Sequence, residues 1–112
     1  MIHKVLKQKW VAALRSGEFK QSQFRLFNTH DRGYCCLGVL AVQLGATLDK
    51  EGNLRVNNNH MGCNGLEYLR EECAGGLNRE IQQQLSEMND ATESRKHRYN
   101  FNQIANWIEV NL

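Results

Sequence analysis

The chain has 112 residues, 41% of them hydrophobic and 23% charged, with a net charge of +2 at neutral pH. That length suits one domain that buries roughly two-thirds of its unfolded surface without covalent staples. The apolar fraction excludes a disordered chain, and no apolar run approaches the roughly 18 residues of a membrane-spanning helix.

The start, MIHKVLKQKWVAAL, is interrupted by lysines too often for the apolar stretch of a secretion signal, so the chain reads as cytosolic. Four cysteines in that setting are expected as reduced thiols. The charge is uneven: residues 1–34 hold seven basic groups against Glu18 and Asp31, a local balance of +5, which leaves −3 for the remainder. A basic N-terminal third suits an acidic partner or nucleic acid, and equally a solvated helix face.

In chain order, Ile2, Val5, Leu6, Trp10, Ala13 and Leu14 recur at helical spacing and predict an amphipathic helix over 2–16, stopped by Gly17. Residues 18–30 are polar with Phe19, Phe24 and Phe27 interspersed. These phenylalanines are expected in the core, and Phe24–Phe27 allows a short strand. Asn28–Gly33 reads as a turn. Residues 34–44, the most apolar run in the chain, predict a buried helix ended by Gly45. Thr47–Asp49 and Asn53–Val56 flank a glycine-bearing turn and predict a β-hairpin. That hairpin must pack on helices or add a strand from 24–27.

Asn57–His60 reads as a polar loop. Asn64 with Glu67 makes a capping-box pattern and opens a short helix bearing Leu66, Leu69 and Cys73. Leu77, Ile81, Leu85 and Met88 stripe a further helix over 78–88. Asn100 with Gln103 repeats the capping pattern ahead of a last helix with Phe101, Ile104, Ala105 and Ile108 on one face. The absence of proline agrees with a mainly helical chain. The expected fold is a compact α+β single domain, 1–112, with about five helices and a small β-hairpin or three-stranded antiparallel sheet.

Three segments carry a resemblance. They are Trp10-Val11-Ala12-Ala13-Leu14-Arg15-Ser16-Gly17-Glu18-Phe19-Lys20-Gln21, then Tyr34-Cys35-Cys36-Leu37-Gly38-Val39-Leu40, then Leu85-Ser86-Glu87-Met88-Asn89-Asp90 leading to Phe101-Asn102-Gln103-Ile104-Ala105-Asn106-Trp107-Ile108-Glu109. In this order they resemble a family of small proteins encoded mainly by tailed bacteriophages. The resemblance covers about half of the chain. This chain departs from the pattern between Asp90 and Phe101, where the family usually has a short glycine-containing turn and this sequence has a longer connector holding Arg95-Lys96-His97-Arg98. The resemblance implies a protein acting in the cytoplasm of a host bacterium that binds host machinery and disables it. The first target would be an anti-phage defence protein or its nucleotide signal. This is an inference from context rather than from chemistry.

Residue chemistry leaves other classes open. A small cysteine-dependent hydrolase would take Cys35 or Cys36 as nucleophile, since a helix N-terminus lowers a thiol pKa, with His60 as base. Asn89 or Asp90 would then orient the imidazole. The opposite reading is that Cys35 and Cys36 are inert core thiols. Cys36, His60, Cys63 and Cys73 are zinc-ligand types, but their spacing fits no common zinc motif, so no metal and no cofactor are expected. A nucleic-acid-binding regulator would use the 95–98 cluster with Tyr99 and the basic N-terminal third. A binding protein would draw its contacts from Arg95, Lys96, Arg98, Asn89, Asp90, Arg25 and Arg55, with the 95–98 cluster exposed, and from Trp10 or Trp107 if either faces water. The sequence leans away from an enzyme and sets no oligomeric state.

Overall fold

The computed structural model describes residues 2–50, 54–56, 59–60, 76–90 and 99–112. In chain order the elements are α1 (Lys4–Arg15), β1 (Phe27–Asn28), β2 (Gly33–Tyr34), α2 (Cys36–Gln43), β3 (Thr47–Leu48), β4 (Leu54–Val56), β5 (Asn59–His60), α3 (Arg79–Asn89) and α4 (Phe101–Asn111). The α+β class expected from the sequence is present, with four helices among the described residues. The fifth expected helix, opened by Asn64, lies outside them.

Helix α1 begins where the His3 imidazole Nδ1 accepts the Val5 N–H at 3.2 Å, and ends at Ser16 before Gly17 turns left-handed at φ 79°. It buries Trp10, Val11 and Leu14 and turns its lysines outward. Helix α4 packs along it. There Arg15 grips the Glu109 carboxylate at 2.8 and 3.0 Å and the Asn106 side-chain Oδ1 at 2.6 Å. The Lys7 ammonium donates to the Glu109 backbone carbonyl at 3.2 Å. These contacts lie at the surface, so they set helix orientation more than stability.

Helix α2 is the centre of the molecule, with Cys36 to Ala41 all buried. It starts two residues later than the apolar run suggests, because Tyr34 belongs to a strand and Cys35 is the N-cap. β2 pairs antiparallel with β1, Phe27 opposite Tyr34 and Asn28 opposite Gly33, and Gln21 bridges to the far side of Tyr34. The strand allowed at 24–27 therefore begins only at Phe27, and the Asn28–Gly33 turn closes its hairpin. Tyr34 packs edge-on against both Phe19 and Phe27, at ring separations of 5.2 and 4.8 Å.

The hairpin expected over 46–56 forms as β3 and β4, with Thr47 opposite Arg55 and Leu48 opposite Leu54. Its third strand is not drawn from 24–27. It is β5, from the stretch expected as a polar loop, with Arg55 opposite His60 and Val56 opposite Asn59.

Helix α3 is capped by the Asn78 side chain, which accepts the Ile81 N–H. Helix α4 opens with the full capping box: Asn100 and Gln103 exchange side-chain to backbone bonds at 2.8 and 2.9 Å. Trp10, Leu37, Leu40, Leu85, Ile104 and Ile108 are all fully buried, so all four helices share one core.

Candidate functional site

The two thiols sit where a reactive cysteine would sit, but their surroundings oppose reactivity. Cys35 is the N-cap of α2: its Sγ accepts the Gly38 N–H at 3.3 Å, using a sulfur where serine or aspartate is the usual cap. Cys36 is fully buried, and its thiol donates to the Leu85 carbonyl at 3.6 Å. The chain crosses α2 closely here. A β-carbon on Gly38 would lie 1.9 Å from the Leu26 carbonyl oxygen, so only glycine fits. The Leu26 carbonyl also accepts the Cys35 N–H at 3.2 Å, and the Trp10 indole N–H reaches the Cys36 carbonyl at 2.9 Å.

Burial pushes the Cys35 thiol up to about 11, against the pull of the Gly38 amide, and also holds the Cys36 thiol well above its ordinary value. The helix N-terminus was expected to lower these pKa values. Desolvation is the larger effect, and it holds both groups as neutral thiols. The proposed base, His60, lies on β5 opposite Arg55, with its side chain outside the described part.

Asn89 and Asp90 were candidates for partner contacts or, in a hydrolase, for orienting the imidazole. The structure puts Asn89 at the last residue of α3, fully buried. Its Oδ1 accepts the Cys36 N–H at 3.2 Å and the Gln21 amide at 3.0 Å. Its Nδ2 donates to the Ser22 carbonyl at 2.7 Å and the Asp90 Oδ1 at 2.9 Å. A side-chain amide has two donors and two main acceptor positions, and all four are used inside the protein. Asn89 thus joins the start of α2, the 20–22 segment and the end of α3. It is a strut rather than a ligand.

Asp90, half-buried, receives the Phe24 N–H on Oδ1 at 3.0 Å. Gln21 extends the same corner, donating to the Tyr99 carbonyl at 2.7 Å, while the Tyr99 N–H returns to the Met88 carbonyl at 2.7 Å.

The corner shapes one exposed loop. Phe24 was expected in the core with Phe19 and Phe27. Those two are half-buried, but Phe24 is 69% exposed. Its φ is 70°, a left-handed conformation that costs a residue bearing a β-carbon about 1–2 kcal/mol. Arg25, beside it, is also exposed. Of the other expected contacts, Arg55 is held by Asp49 at 2.7 Å on the β3–β4 hairpin, and Arg95, Lys96 and Arg98 lie outside the described residues. Trp10 is core, and Trp107 is half-buried. Among the described residues no group of three or more His, Cys, Asp or Glu is placed to hold a metal ion.

Sequence reasoning gave no role to Gln21, although it closes the first family-like segment, and it missed Ser22, for which no motif gave a signal. It also missed the exposure of Phe24, whose only sign was its place in the polar stretch Gln21-Ser22-Gln23. A shallow groove of about 350 Å³ lies along α3, between Glu80, Gln83, Glu87, Tyr99 and Trp107.

With this geometry in view, the chain matches a domain of unknown function, DUF8296, over residues 1–59, just over half its length, and it belongs to that family. No curated protein and no solved structure matches it. Among the described residues no helix is long and apolar enough to cross a membrane.

Proposed function

We propose that this is a phage-encoded accessory protein that works by binding: it engages a protein of the bacterial host, first of all one of its anti-phage defences, and blocks it without doing chemistry on it. One contrast supports this reading. The groups suited to chemistry (Cys35, Cys36 and Asn89) are buried and bonded to the protein's own backbone, while the groups suited to contact (Phe24 and Arg25) face water. A hydrolase needs a thiolate at neutral pH, and desolvation works against one at both cysteines. The likeness of three segments to small phage proteins supplies the host-directed part of the reading.

The experiment is to express the full chain in bacteria that each carry one defence system and to measure phage plating. A tagged copy is purified from the same cells. A blocking protein restores plating against one system and co-purifies with a component of that system. Plating unchanged against every system, with no host protein retained on the tag, would refute the reading.

A further inference from the structure

We propose that the 22–25 loop, with Phe24 at its tip and Arg25 beside it, is the contact surface for a partner protein offering an apolar socket rimmed by carboxylates. This rests on the binding reading and adds to it the place and the chemistry of contact.

The first observation is strain without local return. Phe24 holds a backbone conformation that glycine or asparagine would adopt more readily. It is kept there from outside the loop: the Asp90 carboxylate takes its N–H, Asn89 orients that carboxylate, and Asn89 also fixes the Ser22 carbonyl. Such strain normally accompanies burial of the side chain or a functional demand. Here Phe24 stays 69% exposed, so a buried polar network holds in place a residue that presents an apolar group to water.

The second observation is the company that group keeps. Arg25 is exposed, and among the described residues no carboxylate pairs with it. Tyr99, 42% exposed, is tied to the same corner through Gln21. Aromatic rings beside an arginine are the composition in which interface binding energy concentrates. The ring asks for an apolar socket, and the unpaired guanidinium asks for a carboxylate at its edge. A phosphate backbone is a poorer match. Following a nucleic acid strand takes several cations in a row, and the 22–25 loop holds one, Arg25.

The test places a photo-crosslinking phenylalanine analogue at position 24 of the full chain and irradiates it in lysate of the host bacterium. A second chain carries the analogue at exposed Gln8 as control. The expected result is one protein adduct from position 24 and none from position 8. Excess wild-type chain competes the adduct away, excess Phe24→Ser or Arg25→Glu chain does not, and the attachment site maps beside Asp or Glu residues. With the adduct partner purified, Phe24→Gly should bind it about 30-fold more weakly. The same variant should melt about 4 °C higher, because the strain is gone.

A wild-type chain that retains its partner but gives no adduct at 24, or a Phe24→Gly chain that melts lower and binds normally, overturns the surface and leaves the binding reading intact. A nuclease-sensitive adduct replaces the protein partner with nucleic acid and overturns the proposal. Retention of nothing by the wild-type chain removes both.

Discussion

Replacing Asn89 by alanine tests the corner most directly. The substitution removes the acceptor of the Cys36 N–H and the donor to the Ser22 carbonyl, at 3.2 and 2.7 Å, both in the buried interior. Gln21 still has the Tyr99 carbonyl, so it loses one of two partners. A buried backbone group left without a partner costs about 1–3 kcal/mol, so two of them give roughly 3–4 kcal/mol as a central expectation. A domain of this size has a total stability of about 5–15 kcal/mol.

The assay is urea unfolding followed by tryptophan fluorescence, which Trp10 reports from inside the core. The midpoint should fall by about 2 M with an unchanged slope. Hydrogen exchange supplies a second readout: the Phe24 amide should lose protection, because Asp90 is no longer oriented by the Asn89 amide. Asn89→Asp should be no better than alanine, since it gives up the donor to Ser22 and sets a second carboxylate against Asp90. A loss below about 1 kcal/mol for Asn89→Ala, within the range of an ordinary surface change, would refute the view that this side chain ties three segments together.

Other outcomes follow from the same geometry. Gly38→Ala gains about 1 kcal/mol of helix propensity in an isolated helix, yet here it should lower stability by about 3 kcal/mol or more, because the added carbon meets the Leu26 carbonyl. A thermal melt equal to or above that of the parent would contradict the close crossing. Trp10→Phe removes the indole donor to the Cys36 carbonyl while keeping most of the apolar volume. It should lower the melting temperature by about 5 °C. The raised Cys35 pKa makes stability fall at alkaline pH: the unfolded thiol ionises near 9.0 and the folded one near 11. The contribution is therefore complete below pH 9 and is lost as pH rises through 11, a change of about 2–3 kcal/mol. Cys36 acts in the same direction, and Cys35→Ser, with an N-cap that does not ionise, should flatten the profile. Iodoacetamide at neutral pH should leave Cys35 and Cys36 unmodified until the chain is denatured. Rapid labelling of either would restore the nucleophile reading.

The helices were legible because each carries its own signals. The Asn100–Gln103 box and the glycine at position 17 act within a few residues, and the structure uses both as expected. The apolar run at 34–44 was legible as a buried helix for the same reason, since periodicity and burial report together. The end of that run was not. Tyr34 pairs with Phe27 across a turn and with Gln21 on its other side, and long-range pairing leaves little local trace. The polar stretch at 59–60 became a strand through its partner β4, with no apolar alternation of its own.

At the site, residue types pointed toward chemistry, while placement decided the matter. Asn89 next to Asp90 looks the same in sequence whether it lines a pocket or spans a core. The thiols of Cys35 and Cys36 likewise carry no mark of the desolvation that holds them neutral. Phe24 was hidden by the general rule that phenylalanine goes inside, which the left-handed backbone at this position overrides.

The match to the DUF8296 family ends at residue 59, but no physical boundary falls there. Leu85, Ile104 and Ile108 complete the packing around α1 and α2, Asn89 caps the first turn of α2, and Glu109 anchors Arg15. A fragment cut at that boundary would keep the sequence signature and lose the inner wall against which it folds. The unit that can be expressed, swapped between homologues or fused to another protein therefore includes α3 and α4.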